Sequence, residues 1–462
     1  MKKKNPLLVP ELREMLAAGE SKALRDFCES GHPAVIAELL SALSSEEAWT
    51  VLRQADNHPL RSKIFSHLDE DMQVEIVGSL RRNEVAHLLA EMSPDDRVDL
   101  FKQLPESLRE SVLPALAQAE REDIRRLSAY KEGTAGAVMT SDYATLSQQL
   151  TASQAIERLR EVAPAKETIY YAYVVDERRK LLGFVSLTDL IVARREALVG
   201  DIMHDEVIFA RVEDDQENAA RKIQKYDLIA LPVLNSGDAL VGIITHDDAI
   251  DIITQEHTED MEKFMAIVGT HEDAVYMKTS VWGHFRNRYP WVIALAILGM
   301  VSGFIVQSFE GLLMQFTVLA AFMPMLADTG GNTGSQSATL VVRALALTEV
   351  STKDIFRILV REFRVSMLLA LLLGVIAFGR VLFFGGGSSI PESFSLARIA
   401  FAISLALGLQ VVTSTLIGAL LPLGAAKMKW DPAVVASPAL TTIVDITGLL
   451  IYFTTAKLML GI

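Results

Sequence analysis

The chain has a single cysteine, Cys28, among 462 residues. A lone thiol excludes an intrachain disulfide and fits a reducing compartment. The opening MKKKNPLLVPELREML lacks the long apolar core and small-residue cleavage site of a signal peptide. The N-terminal region is therefore expected in the cytosol. Enzyme motifs are also missing. There is no nucleophile elbow and no Walker loop, and the nine histidines show no metal-enzyme spacing. Positive charge is scarce up to residue 289, with 34 basic residues against 50 acidic ones, a net of −16. Such a field repels nucleic acid and anionic lipid and attracts cations. The remainder is close to neutral, with 10 basic and 8 acidic residues.

Half of the chain is hydrophobic. Residues 10 to about 130 read as short helices with a loose repeat of polar cap, acid and apolar pair (LSSEEAWTVL, LRRNEVAHLLAEM, MSPDDRVDLFKQL). Ser44 opens a capping box with Glu47. Ser93-Pro94-Asp95-Asp96 sets a cap, then proline at the first helical position, then two acids in the first turn. The pattern favours stacked units in a superhelix over an ordinary bundle. Residues 138 to 254 hold a second repeat, in which YVVDERRKLLGFVSLTDLI resembles LPVLNSGDALVGIITHDDAI. Each half reads as strand, helix, two strands and helix, which resembles a cystathionine-β-synthase (CBS) domain pair. Gly183-Phe-Val-Ser186-Leu-Thr188-Asp189 and Gly242-Ile-Ile-Thr245-His-Asp-Asp248 occupy the strand-to-helix turns. The hydroxyls there can cap the helix, or they can meet a nucleotide phosphate.

Five apolar stretches follow, at 289–309, 316–327 running on through DTGGNTGSQSATLVVRALAL, 365–384, 399–423 and 432–460. About 20 apolar residues cross ~30 Å of hydrocarbon. Arg343, Lys353, Arg357, Arg361, Arg364, Lys427 and Lys429 mark the inner loops, which puts the C-terminus outside. The second stretch reads as an interrupted span. Its Gly330, Gly331, Asn332, Thr333 and Gly334 break the apolar run, and free backbone groups at membrane depth face protein or water. Small-residue packing is the other reading, but packing does not call for Asp328, Asn332 and Gln336. The fifth stretch holds Asp445, flanked by Thr441, Thr442, Thr447 and Gly448. A carboxylate there costs roughly 2.5–3.5 kcal/mol on insertion scales, so it points to an ion site.

TGGNTGSQSATL, Asp431-Pro432 and VDITGLLIY, together with the order of the parts, resemble the MgtE-type magnesium channels. The resemblance covers essentially the whole chain. It implies a multidomain fold, with an all-α polytopic membrane domain of five spans preceded by an α-helical superhelical N domain and α/β tandem CBS domains. The expected domains are a cytosolic N domain at 1–135, CBS domains at 136–200 and 201–254, a connecting plug helix at 255–285 and a pore domain at 286–462. It further implies a homodimer in the bacterial inner membrane, with one pore on the twofold axis.

The resemblance assigns Mg2+ as substrate and regulatory ligand. Asp445 becomes the pore ligand, with Gly330, Gly331, Asn332, Thr333, Gly334, Thr441, Thr442 and Gly448 lining the path. The implied sensing acids are Asp95, Asp99, Glu217, Asp227, Asp248, Asp251, Glu256, Glu259, Asp260 and Asp431. ATP at the CBS pair is left open, with Ser186, Thr188, Asp189 and Thr245 as its candidates. Two charges moving inward gain about 4.6 kcal/mol per 100 mV, so no ATPase module is required. Competing readings are a proton- or sodium-coupled divalent cation transporter, and a nucleotide-sensing CBS receptor whose membrane part only anchors it.

Overall fold

A computed structural model of the chain describes residues 9–265, 267, 279–347, 349–384, 394–433 and 438–461. The chain forms two compact units, Met1–Glu256 and His257–Ile462.

The first unit begins with ten short α-helices, from Val9–Ala18 to Gln118–Leu127. From Ser21–Glu29 to Pro94–Gln103, each packs on the helix two places further on, as Pro33–Leu40 does on His58–Ser66 and Ser45–Leu52 on Glu70–Ser79. Leu40, Leu52, Phe65, Val77 and Leu89 recur every twelve or thirteen residues and are fully buried. That is the superhelical stacking expected from the repeat. The Ser44–Glu47 capping box forms in both directions. Ser93 is at the N-cap of Pro94–Gln103, but its hydroxyl makes no cap bond. That helix is held from below instead. Arg97, buried, donates to the carbonyls of Leu89 at 2.6 Å and Met92 at 2.8 Å.

Two three-stranded sheets follow. The first holds β1 (Tyr143–Leu146), β2 (Thr168–Val175) and β3 (Leu181–Ser186). The second holds β4 (Ala210–Arg211), β5 (Ala230–Leu234) and β6 (Leu240–Thr245). In each, the first pair is parallel and the second antiparallel. The registers match, with Val174 opposite Gly183 in one sheet and Val233 opposite Gly242 in the other. The two hairpin turns match as well. Arg179 and Asp238 both take the left-handed conformation, at φ 62° and 61°.

The last strand leads into His246–Phe264, a single helix. It runs across the expected boundary between the CBS pair and the connector at 255. No glycine or proline interrupts the chain there, so the helix continues. Residues 266 and 268–278 of the connector lie outside the described residues.

The second unit is a bundle of five long helices: Val281–Ser308, Thr317–Ala346, Ile355–Phe384, Leu396–Lys427 and Pro438–Leu460. The fourth packs on the second, third and fifth. Phe316, Tyr452 and Phe453 fill the core, and Tyr452 donates to the Leu319 carbonyl at 2.9 Å. One expectation needs correction here. The second helix is not interrupted, because it runs unbroken for 30 residues. Its glycines serve close packing rather than a break. A side chain at Gly418 of the fourth helix would collide with the Gly334 carbonyl, so the two backbones touch. Among the described residues, four helices are long and apolar enough to cross a membrane. The second is long enough, at about 45 Å, but its polar residues lower its hydropathy. The first part of the fifth expected span, residues 434–437, lies outside the described residues.

Candidate ion path and sensing acids

Gly330, Gly331, Thr333 and Gly334 are buried on the second bundle helix. The glycines face the fourth and fifth helices. A Cβ on Gly331 would touch Thr441 at 3.3 Å, and one on Gly334 would touch Val444 at 3.4 Å. The opposite side of the second helix is different. Asp328, Asn332, Gln336 and Thr339 are exposed at spacings of four, four and three residues, on one face. Asn332 donates to Asp328 at 3.2 Å. Asn332 thus belongs to this open polar stripe, whereas its glycine neighbours form the packed side.

Asp445 lies on the fifth helix, one residue beyond the Val444 contact. Its Oδ1 is buried and has no hydrogen-bond partner among the described residues. No described cation pairs with it: Arg398 donates instead to the Met459 carbonyl at 2.9 Å. Thr442 and Thr447 turn their hydroxyls onto their own helix, at Pro438 and Ile443. Gly448 is buried against Gln410. A second polar contact of this bundle was not foreseen. Buried Ser337 donates to the Glu362 carboxylate at 2.8 Å, joining the second and third helices.

At the end of the bundle, Lys263 reaches Glu259 at 2.7 Å and Asp431 at 3.1 Å. Burial lowers the lysine pKa, but the two carboxylates outweigh this and push it up to about 12. Glu259 and Asp431 are therefore brought together, with an ammonium between them. Lys263 is absent from the residues that sequence reasoning selected.

In the first unit, Asp95 and Asp248 are both half-buried, with other acids nearby. Burial, then Asp96, Asp248 and Glu167, hold the Asp95 carboxyl well above its ordinary range. Asp95 Oδ1 has no hydrogen-bond partner among the described residues. Asp248 is pushed up to about 6, chiefly by burial, with the Thr245 hydroxyl opposing and Asp247 adding. Burial also raises Glu167, and Asp96 and Asp247 add to it. Glu167 and Asp247 were missed because their partners come from distant elements. Among the described residues no three such groups converge closely enough to hold a metal ion by geometry alone.

The other expected acids are dispersed. Asp99 is near Lys102 at 3.9 Å, Glu217 pairs with Arg221, and Glu256 accepts from Gln216 at 2.7 Å. Asp227 ends the helix Gln216–Tyr226 in the left-handed conformation, with φ 52°. Asp251 is exposed and Asp260 half-buried.

At the CBS turns the hydroxyls act as caps. Ser186 Oγ donates to Asp189 at 2.6 Å and accepts from its backbone N–H at 3.0 Å. His204 adds a contact to the same carboxylate at 3.2 Å. Burial raises the Asp189 pKa, but Ser186 and His204 more than offset it and hold it low. Thr188 is exposed, and Thr245 bonds Asp248 as Ser186 bonds Asp189.

Residues 323–455 match the MgtE divalent cation transporter family, 31–133 the MgtE intracellular N domain, and 135–196 and 199–255 the CBS domain. The chain is 35% identical to the magnesium transporter MgtE of Thermus thermophilus over 98% of each chain. It is 34% identical to that of Bacillus subtilis over 84% of each. Among solved structures, the soluble part of a magnesium transporter is 33% identical, with a TM-score of 0.51, and covers 54% of this chain and 97% of that one. The cytosolic domain of the Mg2+ channel MgtE in complex with ATP is 35% identical, with a TM-score of 0.50, and covers 53% and 100%.

Proposed function

Because the chain belongs to the MgtE family of divalent cation transporters, we propose that it conducts Mg2+ across a bacterial plasma membrane through its helical bundle. The observation that carries this is Asp445. Its Oδ1 is buried in a bundle helix and has no protein partner among the described residues. A membrane carboxylate without a partner is costly, and a divalent cation relieves that cost. Mg2+ dehydrates reluctantly and keeps its waters, so one carboxylate from each of two subunits suffices to hold the hydrated ion. The open polar stripe of Asp328, Asn332 and Gln336 supports the homodimer. Facing lipid it would be unfavourable, whereas facing a twofold axis it becomes the wall of a water-filled path.

The soluble acids then act as the sensor. At low Mg2+ the repulsion among Asp95, Asp96, Asp247, Asp248 and Glu167 loosens the first unit. At high internal Mg2+ the ion neutralises them, and the resulting order closes the path. Asp99, Glu217, Asp227, Asp251 and Glu256 add to the acids of the first unit, Glu259, Asp260 and Asp431 are sensing acids of the second, and both groups lie in the cytosol while the C-terminus lies outside. ATP binding at the turns of Ser186 and Asp189 is supported by the ATP complex of the similar cytosolic domain. Mg2+ influx into proteoliposomes, wild type against Asp445→Asn, tests the reading. Abolished or much slower influx is expected, and equal influx would remove Asp445 from the path.

A further inference from the structure

Gln410 is the most deeply buried amide of the bundle, 1% exposed in the middle of the fourth helix. Its Nε2 donates to the Val444 carbonyl at 3.3 Å, and its Oε1 has no partner among the described residues. The amide fills the space where side chains of Gly330 and Gly448 would otherwise stand. One side chain therefore joins the second, fourth and fifth helices. Gly448 is one helical turn beyond Val444, so its missing side chain is what leaves the Val444 carbonyl open to Gln410.

A buried carbonyl without a donor is destabilising, and an apolar side chain of the same shape would fill this slot without that cost. Packing alone therefore does not account for an amide here. The group that the amide grips does. Val444 immediately precedes Asp445, and a hydrogen bond to its carbonyl fixes the rotation of the fifth helix about its own axis. One residue of rotation amounts to about 100° and would carry the carboxylate off its face.

We propose that Gln410 is a positioning residue that holds Asp445 at the orientation needed to recognise a hydrated divalent cation. The inference rests on the reading of Asp445 as the ion ligand. Recognition through a water shell depends on the placement of the carboxylate, so its loss is felt as lost discrimination rather than a lost fold.

The test uses the full-length protein in proteoliposomes and Gln410→Met, which keeps the volume and removes both polar atoms. The expected thermal unfolding midpoint is equal to or above wild type. The half-saturating Mg2+ concentration should rise several-fold, and discrimination of Mg2+ against Ca2+ should fall by roughly tenfold. Gly448→Ala, which displaces the amide from the Val444 carbonyl, should reproduce the loss of discrimination. Unchanged half-saturation and discrimination in Gln410→Met overturn the inference. So does a parallel fall of unfolding midpoint and flux with discrimination intact, which marks Gln410 as packing only. A wild type without Mg2+ flux overturns the underlying reading as well, and it is told apart from the other outcomes because in them the wild type conducts.

Discussion

Lys263 stands 3.1 Å from Asp431, and its other contact is Glu259 at 2.7 Å. Its ammonium occupies the place between two carboxylates that a divalent cation would take. Removing it in Lys263→Ala leaves the pair uncompensated. The Mg2+ concentration that half-inhibits flux should then fall about fivefold, in line with the ~1 kcal/mol expected for a pair this exposed. Titration of flux against internal Mg2+ measures it, and an unchanged midpoint would count against regulation at this pair.

Asp248 predicts a pH dependence. Its carboxyl is raised from 3.8 to about 6, mainly by burial. A group raised on folding contributes stability below its ordinary value and loses it as pH rises through about 6. Without divalent cations, the first unit should therefore be more stable at pH 5 than at pH 7.5, by ~5 °C in unfolding midpoint. Millimolar Mg2+ should restore that loss at pH 7.5 and add little at pH 5. Asp248→Asn should flatten both dependences in a thermal melt.

The polar stripe of the second bundle helix predicts proximity between subunits. In a Cys28→Ser background, Asn332→Cys should form an oxidised dimer in membranes. Leu371→Cys, on an exposed apolar face of the third helix, should not. Equal cross-linking at the two positions would rule out a twofold path along the stripe.

Gly418 meets the Gly334 backbone directly. Gly418→Val should push the second and fourth helices apart and destabilise the bundle by roughly 1–3 kcal/mol. A lower unfolding midpoint in detergent checks this. Gly424, where a Cβ would meet nothing within 4 Å, is the control.

Periodicity carried most of the fold. The helical repeat with Leu40, Leu52, Phe65, Val77 and Leu89, the duplicated strand units and four apolar helices were all legible in it. The second bundle helix was not read correctly, because Gly330, Gly331 and Gly334 signal a break by local propensity. Tertiary contact with Val444 and Ser414 keeps it helical. Asp445 stood out in the sequence because charge is rare in such a run. Gln410 did not, since one neutral polar residue in LGLQVV carries no periodic signal. Lys263 and Glu167 were hidden for a third reason. The Asp431 partner of Lys263 and the Asp96 and Asp247 neighbours of Glu167 are more than twenty residues away in sequence, and one chain without its fold does not pair them.

The matching caps at Ser186–Asp189 and Thr245–Asp248 have a consequence for how one motif acquires two chemistries. The same hydroxyl-to-carboxylate lock is built twice, in the same register of two matching sheets. Beside the first lock stands an imidazole, and its acid is held below the ordinary carboxylate value. The second lock is more deeply buried and has Asp247 beside it, and its acid is pushed up to about 6. The repeat thus holds two copies of one lock whose acids are shifted in opposite directions. The turns differ at their inner positions, Leu187-Thr188 in the first and His246-Asp247 in the second, and the Asp247 charge adds to the effect of deeper burial.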